Sequence, residues 1–157
     1  MESISNRTLI SRLYSSANQQ LEEAVFDTEN WSQWYQAVQG LTNAEKMVYV
    51  IVKLNQTVTN GGFMEFYEAS FGVFSPEIIH VLDEIKATVT SEIVSNSLLV
   101  VNPEGLLDEA YKEFIFNIQL SKQQKEQLHS QDIQYDQLHG YENLEDLLGD
   151  HLQEMVN

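Results

Sequence analysis

Apolar residues in this chain recur three and four positions apart almost from end to end, and that period specifies helices. Leu9, Ile10, Leu13, Tyr14, Ala17, Leu21, Ala24 and Val25 follow it and predict an amphipathic first helix. Trp31, Trp34, Tyr35 and Val38 predict a second, short helix that ends at Gly40. Thr42 with Glu45 has the spacing of a capping box, in which each side chain satisfies a free backbone N–H of the other residue. Behind it Met47, Val48, Val50, Ile51 and Leu54 outline a central helix of roughly four turns. The run from Val48 to Val52 could by composition be a strand, but the cap and the longer flanking pattern favour a helix. No segment alternates every second residue between hairpin turns, so the expected fold class is all-α.

Glycine and proline divide this pattern. Asn60-Gly61-Gly62-Phe63 is a sharp interruption, since glycine reaches backbone angles that other residues avoid. Phe63, Phe66 and Tyr67 share one face of a short helix beyond it, and Gly72 is expected to end that helix. Ser75-Pro76-Glu77 reads as a helix start, with a capping serine, proline at the first position and an acid in the first turn. Ile78, Ile79, Leu82, Ile85 and Val89 continue as one apolar face. Asn102-Pro103-Glu104 repeats the start signal ahead of Leu106, Leu107, Ala110, Tyr111, Phe114 and Ile115. Ser121 with Gln124 is expected to cap a short polar helix, and Leu144, Leu147, Leu148, Leu152 and Met155 mark a last helix. The sum is a single domain over 1–157 with six to eight helices, in which 1–30 forms an N-terminal helix. Asn60, Gly61, Gly62 and Phe63 are expected to be a structural corner, with Phe66, Tyr67 and Phe71 in the core and Gly72 and Pro76 as boundaries.

Composition narrows the function. The chain is 43% hydrophobic with only two prolines, enough apolar surface for a core and too much for a disordered acidic tail. It has no cysteine, which removes thiolate catalysis, disulfides and cysteine-held metal. The formal net charge is -16, and no Lys or Arg follows Lys125. Such a field repels nucleic acid and anionic membranes and attracts basic surfaces. Direct nucleic-acid binding also needs a basic patch, and no three basic residues fall together. The start of the chain lacks the pattern of a signal peptide, and no apolar run is long enough to span a bilayer, so the expected location is the cytoplasm.

Catalytic and metal patterns are weak. His80, His129, His139 and His151 form no pair at ligand spacing. His139 or His151 with Glu142, Asp146 or Asp150 is the nearest approach to a metal set, but carboxylates are so common here that proximity carries little. Gly61-Gly62 lacks the lysine and repeated glycines of a phosphate loop, and no serine sits in an elbow motif. Paired carboxylates such as Glu22/Glu23 and Glu145/Asp146 give no means of choosing an acid and a base. No catalytic residue, metal or cofactor is therefore expected.

Two surfaces remain for a protein partner. Asp132, Asp136, Glu142, Glu145, Asp146, Asp150 and Glu154 are close in sequence with no counter-charge, and Glu142, Glu145 or Asp146, and Asp150 could line one side of a helix opposite Leu144, Leu148 and Leu152. Carboxylates at successive turns would approximate the regular negative charge of a DNA strand. Trp31 and Trp34, with Tyr35, exceed what one helix face hides, and one side could meet a partner. An inhibitor, immunity or antitoxin-type protein acting through those aromatics is the alternative to a charge-led binding module.

The stretch from Leu41 to Ile85 resembles the bacterial family typified by the Neisseria DNA-mimic protein. The residues that carry the resemblance are Leu41, Glu45, the helix through Leu54, Asn60 to Phe63, Phe66 with Tyr67, Gly72, and Pro76-Glu77. The family-like part is about 35–155. Glu65 stands where the family commonly has glutamine and Ala69 where it has asparagine. The resemblance implies an all-helical domain that binds a basic, DNA-binding partner such as a transcription factor in place of DNA. It adds Glu65 and Glu68 to the acids offered to that partner, and it implies a homodimer.

Overall fold

The computed structural model describes residues 4–24, 31–140 and 142–156. Val25 and Tyr141 therefore lie outside the described residues, as do the side chains of Ala24 and His139. Among the described residues there are eight α-helices, two short 3-10 turns and no strand. The helices are α1 (Asn6–Ala24), α2 (Trp31–Gln39), α3 (Asn43–Glu68), α4 (Ser75–Glu84), α5 (Thr88–Val101), α6 (Asp108–Phe116), α7 (Lys122–Asp136) and α8 (Leu144–Val156). The all-α expectation holds. None of these helices is long and apolar enough to cross a membrane. The backbone forms two units, Met1–Val52 with Leu144–Asn157 and Lys53–Asn143, and the boundary falls within α3.

In the first unit α1 packs on α2 and α8. Leu9, Ala17 and Leu21 are buried along α1, and Leu148 and Leu152 along α8. The two helices approach closely at Gly149, where a Cβ would lie 2.3 Å from the Cβ of Asn6. Gln153 ties the same pair by donating to the Ile4 carbonyl at 2.8 Å. The Thr42–Glu45 capping box forms as expected, with Thr42 N–H donating to Glu45 at 3.1 Å and Glu45 N–H to the Thr42 hydroxyl at 3.2 Å.

The second unit is organised by the break in α3. Gly62 has φ 77 and ψ -179, so the helix stops and restarts there. Phe63, Phe66 and Tyr67 follow it and are fully buried. The Phe63 ring meets Phe66 and Tyr135 edge-on, at centroid distances of 6.1 and 5.9 Å. The tyrosine hydroxyls buried with them all have partners. Tyr67 shares a hydrogen bond with Ser97 at 2.8 Å, Tyr111 donates to the Gly72 carbonyl at 2.6 Å, and Tyr135 to Asn55 at 2.9 Å. Burial pushes Tyr67 up to about 12 and raises Tyr111 and Tyr135 as well, so all three stay neutral donors.

Four local expectations change. Gly72 does not end α3, which stops at Glu68; the chain turns at Ser70, φ 71, and Gly72 sits buried in a 3-10 turn over Phe71–Phe74. Ser75 is not a cap. That 3-10 turn runs directly into α4, so Ser75 is already helical and buried, with its hydroxyl 3.4 Å from that of Tyr67. Pro76 keeps its expected place in the first turn. Val89 does not extend α4: the chain reverses through Lys86, φ 69, and Val89 belongs to α5. Asn102 closes α5 rather than opening a helix, because its side chain brackets Leu106, accepting from its N–H at 3.0 Å and donating to its carbonyl at 3.1 Å. α6 opens instead at Asp108, leaving Leu107 74% exposed. The Ser121–Gln124 capping box forms at the head of α7.

Candidate functional site

Carboxylates in this chain do two kinds of work. Among the described residues, three satisfy free backbone N–H groups at helix starts. The N-terminus of a helix offers several unsatisfied N–H groups and a partial positive charge, and a carboxylate answers both. Glu45 does this for α3, and is itself buried under Ser16 and Gln20, which donate to its second oxygen at 2.5 and 2.7 Å. The Ser16 hydroxyl is the main reason that its carboxyl titrates below the ordinary value; burial opposes this, and the contacts from Thr42 and Gln20 reinforce it. Asp132 accepts the N–H of Phe63 at 2.7 Å and so caps the stretch that restarts after Gly62. Glu142 caps α5, taking the N–H groups of Val89 and Thr90 at 2.8 Å each and the Thr90 hydroxyl at 2.6 Å.

Glu142 therefore does not lie on the last helix beside Glu145, Asp146 and Asp150. It precedes α8 and belongs to the second unit, whereas those three are on α8 in the first. The helical side that groups all four does not exist, because α8 begins only at Leu144.

The second kind of carboxylate is exposed. On α8, Glu145, Asp146, Asp150 and Glu154 are exposed while Leu148 and Leu152 are buried on the other side. Asp146, Asp150 and Glu154 follow one another at successive turns. Two of the α8 acids also meet α1 at the surface. Asp150 accepts from Asn6 at 2.9 Å, and Glu145 faces Arg7 at 3.3 Å. In the second unit Glu65, Glu68 and Asp136 are exposed, with Glu68 3.7 Å from Lys125. The structure thus places Glu145, Asp146 and Asp150 on one helix, and puts Asp132, Asp136, Glu65 and Glu68 in the other unit.

The aromatic candidates are on α2, whose sequence carries no charged residue. Trp31 is 39% exposed and meets Trp34 edge-on at 5.6 Å. Trp34 is half-buried and its indole N–H donates to the Tyr49 hydroxyl at 3.1 Å. Tyr49 also stacks on Tyr14 at 6.2 Å, and burial pushes its hydroxyl up to about 12. Trp34 is therefore held from inside, and Trp31 offers the outward surface. Asn60 and Gly61 are exposed at the corner, whereas Phe63, Phe66, Tyr67 and Gly72 are buried.

Among the described residues no group of three or more His, Asp or Glu converges on a metal position. Sequence reasoning missed the capping roles of Asp132 and Glu142, since each acts on a helix start far away in sequence. It also missed Ser16 and Gln20, polar residues of α1 whose only signal was their place beside the buried Ala17.

A family model described as DMP19-like protein matches residues 39–155. No curated protein and no solved structure matches the chain.

Proposed function

We propose, from the premise that this chain belongs to the DMP19-like protein family, that its exposed carboxylates bind a basic protein in the place of DNA. Membership supports a protein-binding function of the DNA-mimic kind, and the family is non-catalytic. The observation that carries the reading to particular residues is the row on α8. Asp146, Asp150 and Glu154 are exposed at successive turns, about 5–6 Å apart at their Cβ atoms. No Lys or Arg follows Lys125 in the sequence, and Arg7 of α1 meets α8 at Glu145, outside this row. A DNA-binding face carries Arg and Lys set out for phosphates, and such a row presents them with repeated negative charge. The partner class that fits is a DNA-binding protein such as a transcription factor. The test is capture of the partner from native cytosol at low salt, followed by elution with duplex DNA. Release by duplex DNA and by rising salt is expected, and a partner held equally under both conditions would overturn the reading.

Trp31 favours a second contact. It is the exposed aromatic of a helix without charge, so α2 is where a -16 chain can approach another copy of itself with least repulsion. A homodimer through this face is the expected assembly, and sedimentation at physiological salt giving only an 18.0 kDa species would exclude it. If the same face instead holds a partner in the manner of an inhibitor or antitoxin, binding will be insensitive to salt and lost in Trp31→Ala.

A further inference from the structure

The helical stretch of α3 that ends at Gly61 and the C-terminal half of α7 bound a cleft of about 300 Å³, all of it within the second unit. Val58, Thr59 and Gly61 form one wall, and Ile133 and Asp136 stand on the other with Asp132 between. We propose that this cleft receives one arginine side chain of the basic partner. The proposal rests on the protein-binding reading above and names the chemistry that such a partner brings to one point of the surface.

Charge is the first argument. Asp132 and Asp136 are one helical turn apart on α7. One oxygen of Asp132 is committed to the Phe63 N–H, and the other lies 4.0 Å from the imidazole of His129. The Asp136 carboxylate is exposed and makes no hydrogen bond or ion pair among the described residues. The first stretch of α3 ends at this wall with partial negative charge, and Asp132 offsets the positive end of the stretch that restarts at Phe63. Lys125, a basic residue of the same helix, is turned to Glu68. The cleft therefore concentrates negative charge and is complementary to a cation.

Shape is the second argument. The volume is at the low end for pockets that take a small molecule, so it suits one long side chain and excludes a helix or strand. Ile133 is 48% exposed, and with Val58 across the cleft it offers apolar surface to an aliphatic stem. A guanidinium fits better than an ammonium, because its planar fork can address two acceptors at once, here the Asp136 carboxylate and the Asp132 oxygen that takes no hydrogen bond and lies 4.0 Å from His129. Gly62 keeps this geometry open: a Cβ there would stand 2.5 Å from Asp132 Oδ2.

The probe is Nα-acetyl-arginine amide, titrated into the full chain while backbone amide shifts are followed. Saturable shifts centred on Gly61, Gly62, Ile133 and Asp136 are expected. Asp136→Asn should weaken this binding about fivefold or more, and Glu126→Gln, an exposed acid of α7 outside the cleft, by less than about twofold. Ile133→Ser should weaken it too, and Nα-acetyl-lysine amide should bind less well than the arginine probe. Shifts spread over all exposed acids, or equal effects of Asp136→Asn and Glu126→Gln, would overturn the cleft while leaving partner capture and its competition by duplex DNA intact. A focused arginine site in a chain whose partner ignores duplex DNA would instead keep the cleft and overturn the reading it was built on.

Discussion

The carboxylate of Asp132 takes the backbone N–H of Phe63 at 2.7 Å across 69 residues of sequence. That bond caps the helix that restarts after Gly62, and it depends on Gly62 having no side chain. Asp132→Ala should cost about 1–2 kcal/mol, as loss of a helix cap does. Gly62→Ala should also destabilise, through its φ of 77 and by driving the Asp132 carboxylate off the Phe63 N–H. Because both changes remove the same bond, the double variant should lose less than the sum by more than about 0.5 kcal/mol. Chemical denaturation of the four proteins measures this, and strict additivity would show the cap to be energetically idle.

Phe63 is fully buried between Phe66 and Tyr135. Phe63→Ala should cost about 3–5 kcal/mol through lost burial and the cavity left behind. Phe63→Leu should cost less, since it refills part of that volume. A Phe63→Ala variant within about 0.5 kcal/mol of the parent would remove Phe63 from the core.

Glu142 separates folding from binding among the acids. It closes three hydrogen bonds on the first turn of α5, so Glu142→Ala should cost about 1–3 kcal/mol. Glu145→Gln, at an exposed pair with Arg7, should change stability by less than about 1 kcal/mol. Thermal melts of the two variants decide it. Equal, small effects would mean that the α5 cap is dispensable.

Stability should also report Glu45 through pH. Its folded carboxyl titrates below the ordinary glutamate value, chiefly because the Ser16 hydroxyl donates to the charged form. The stabilisation is therefore fully present above the unfolded value and is lost as pH falls through the lower folded one. Glu45→Gln keeps a capping acceptor for Thr42 but confronts the Gln20 amide with another donor, so it should be less stable than the parent at neutral pH. That gap should hold down to about pH 5 and narrow below it. A gap unchanged between about pH 6 and 3 would show that charge at Glu45 is not the source.

The parts of this protein that were legible in sequence are those whose cause is local. Leu9, Ala17 and Leu21 show the helical period directly, and both capping boxes pair residues three apart. Asn60 to Phe63 was readable as a corner because a glycine with positive φ leaves its mark in the sequence. Lys86 and Ser70 turn the chain with positive φ but without glycine, so the sequence pattern carries the α4 face on to Val89, leaves α5 unmarked and points to Gly72 for the turn that Ser70 makes. Asn102-Pro103 carried the signs of a start and serves as a stop, because a side chain that brackets Leu106 serves a loop as well as a helix. The acidic site was legible as a composition and not as a surface. Asp132 and Glu142 look like any other acid until Phe63 and Thr90 are brought to them from across the fold.

The exposed row on α8 carries the last prediction. Asp146, Asp150 and Glu154 lie away from the buried Leu148 and Leu152, so Asp146→Asn, Asp150→Asn and Glu154→Gln together remove three charges and no core packing. Asn at 150 also retains an oxygen for Asn6. The triple variant should melt with the parent. Its association rate with the DNA-competed partner should fall several-fold at low ionic strength and converge on the parent's at high salt, since long-range steering is what the charges supply. Dissociation should change less. Trp31→Ala should show the reverse pattern if it touches the same partner, with faster dissociation and little dependence on salt. Binding kinetics of both variants at two ionic strengths make the comparison. An unchanged low-salt association rate in the triple variant would mean that α8 presents a solvated face to water and that the partner is gripped elsewhere.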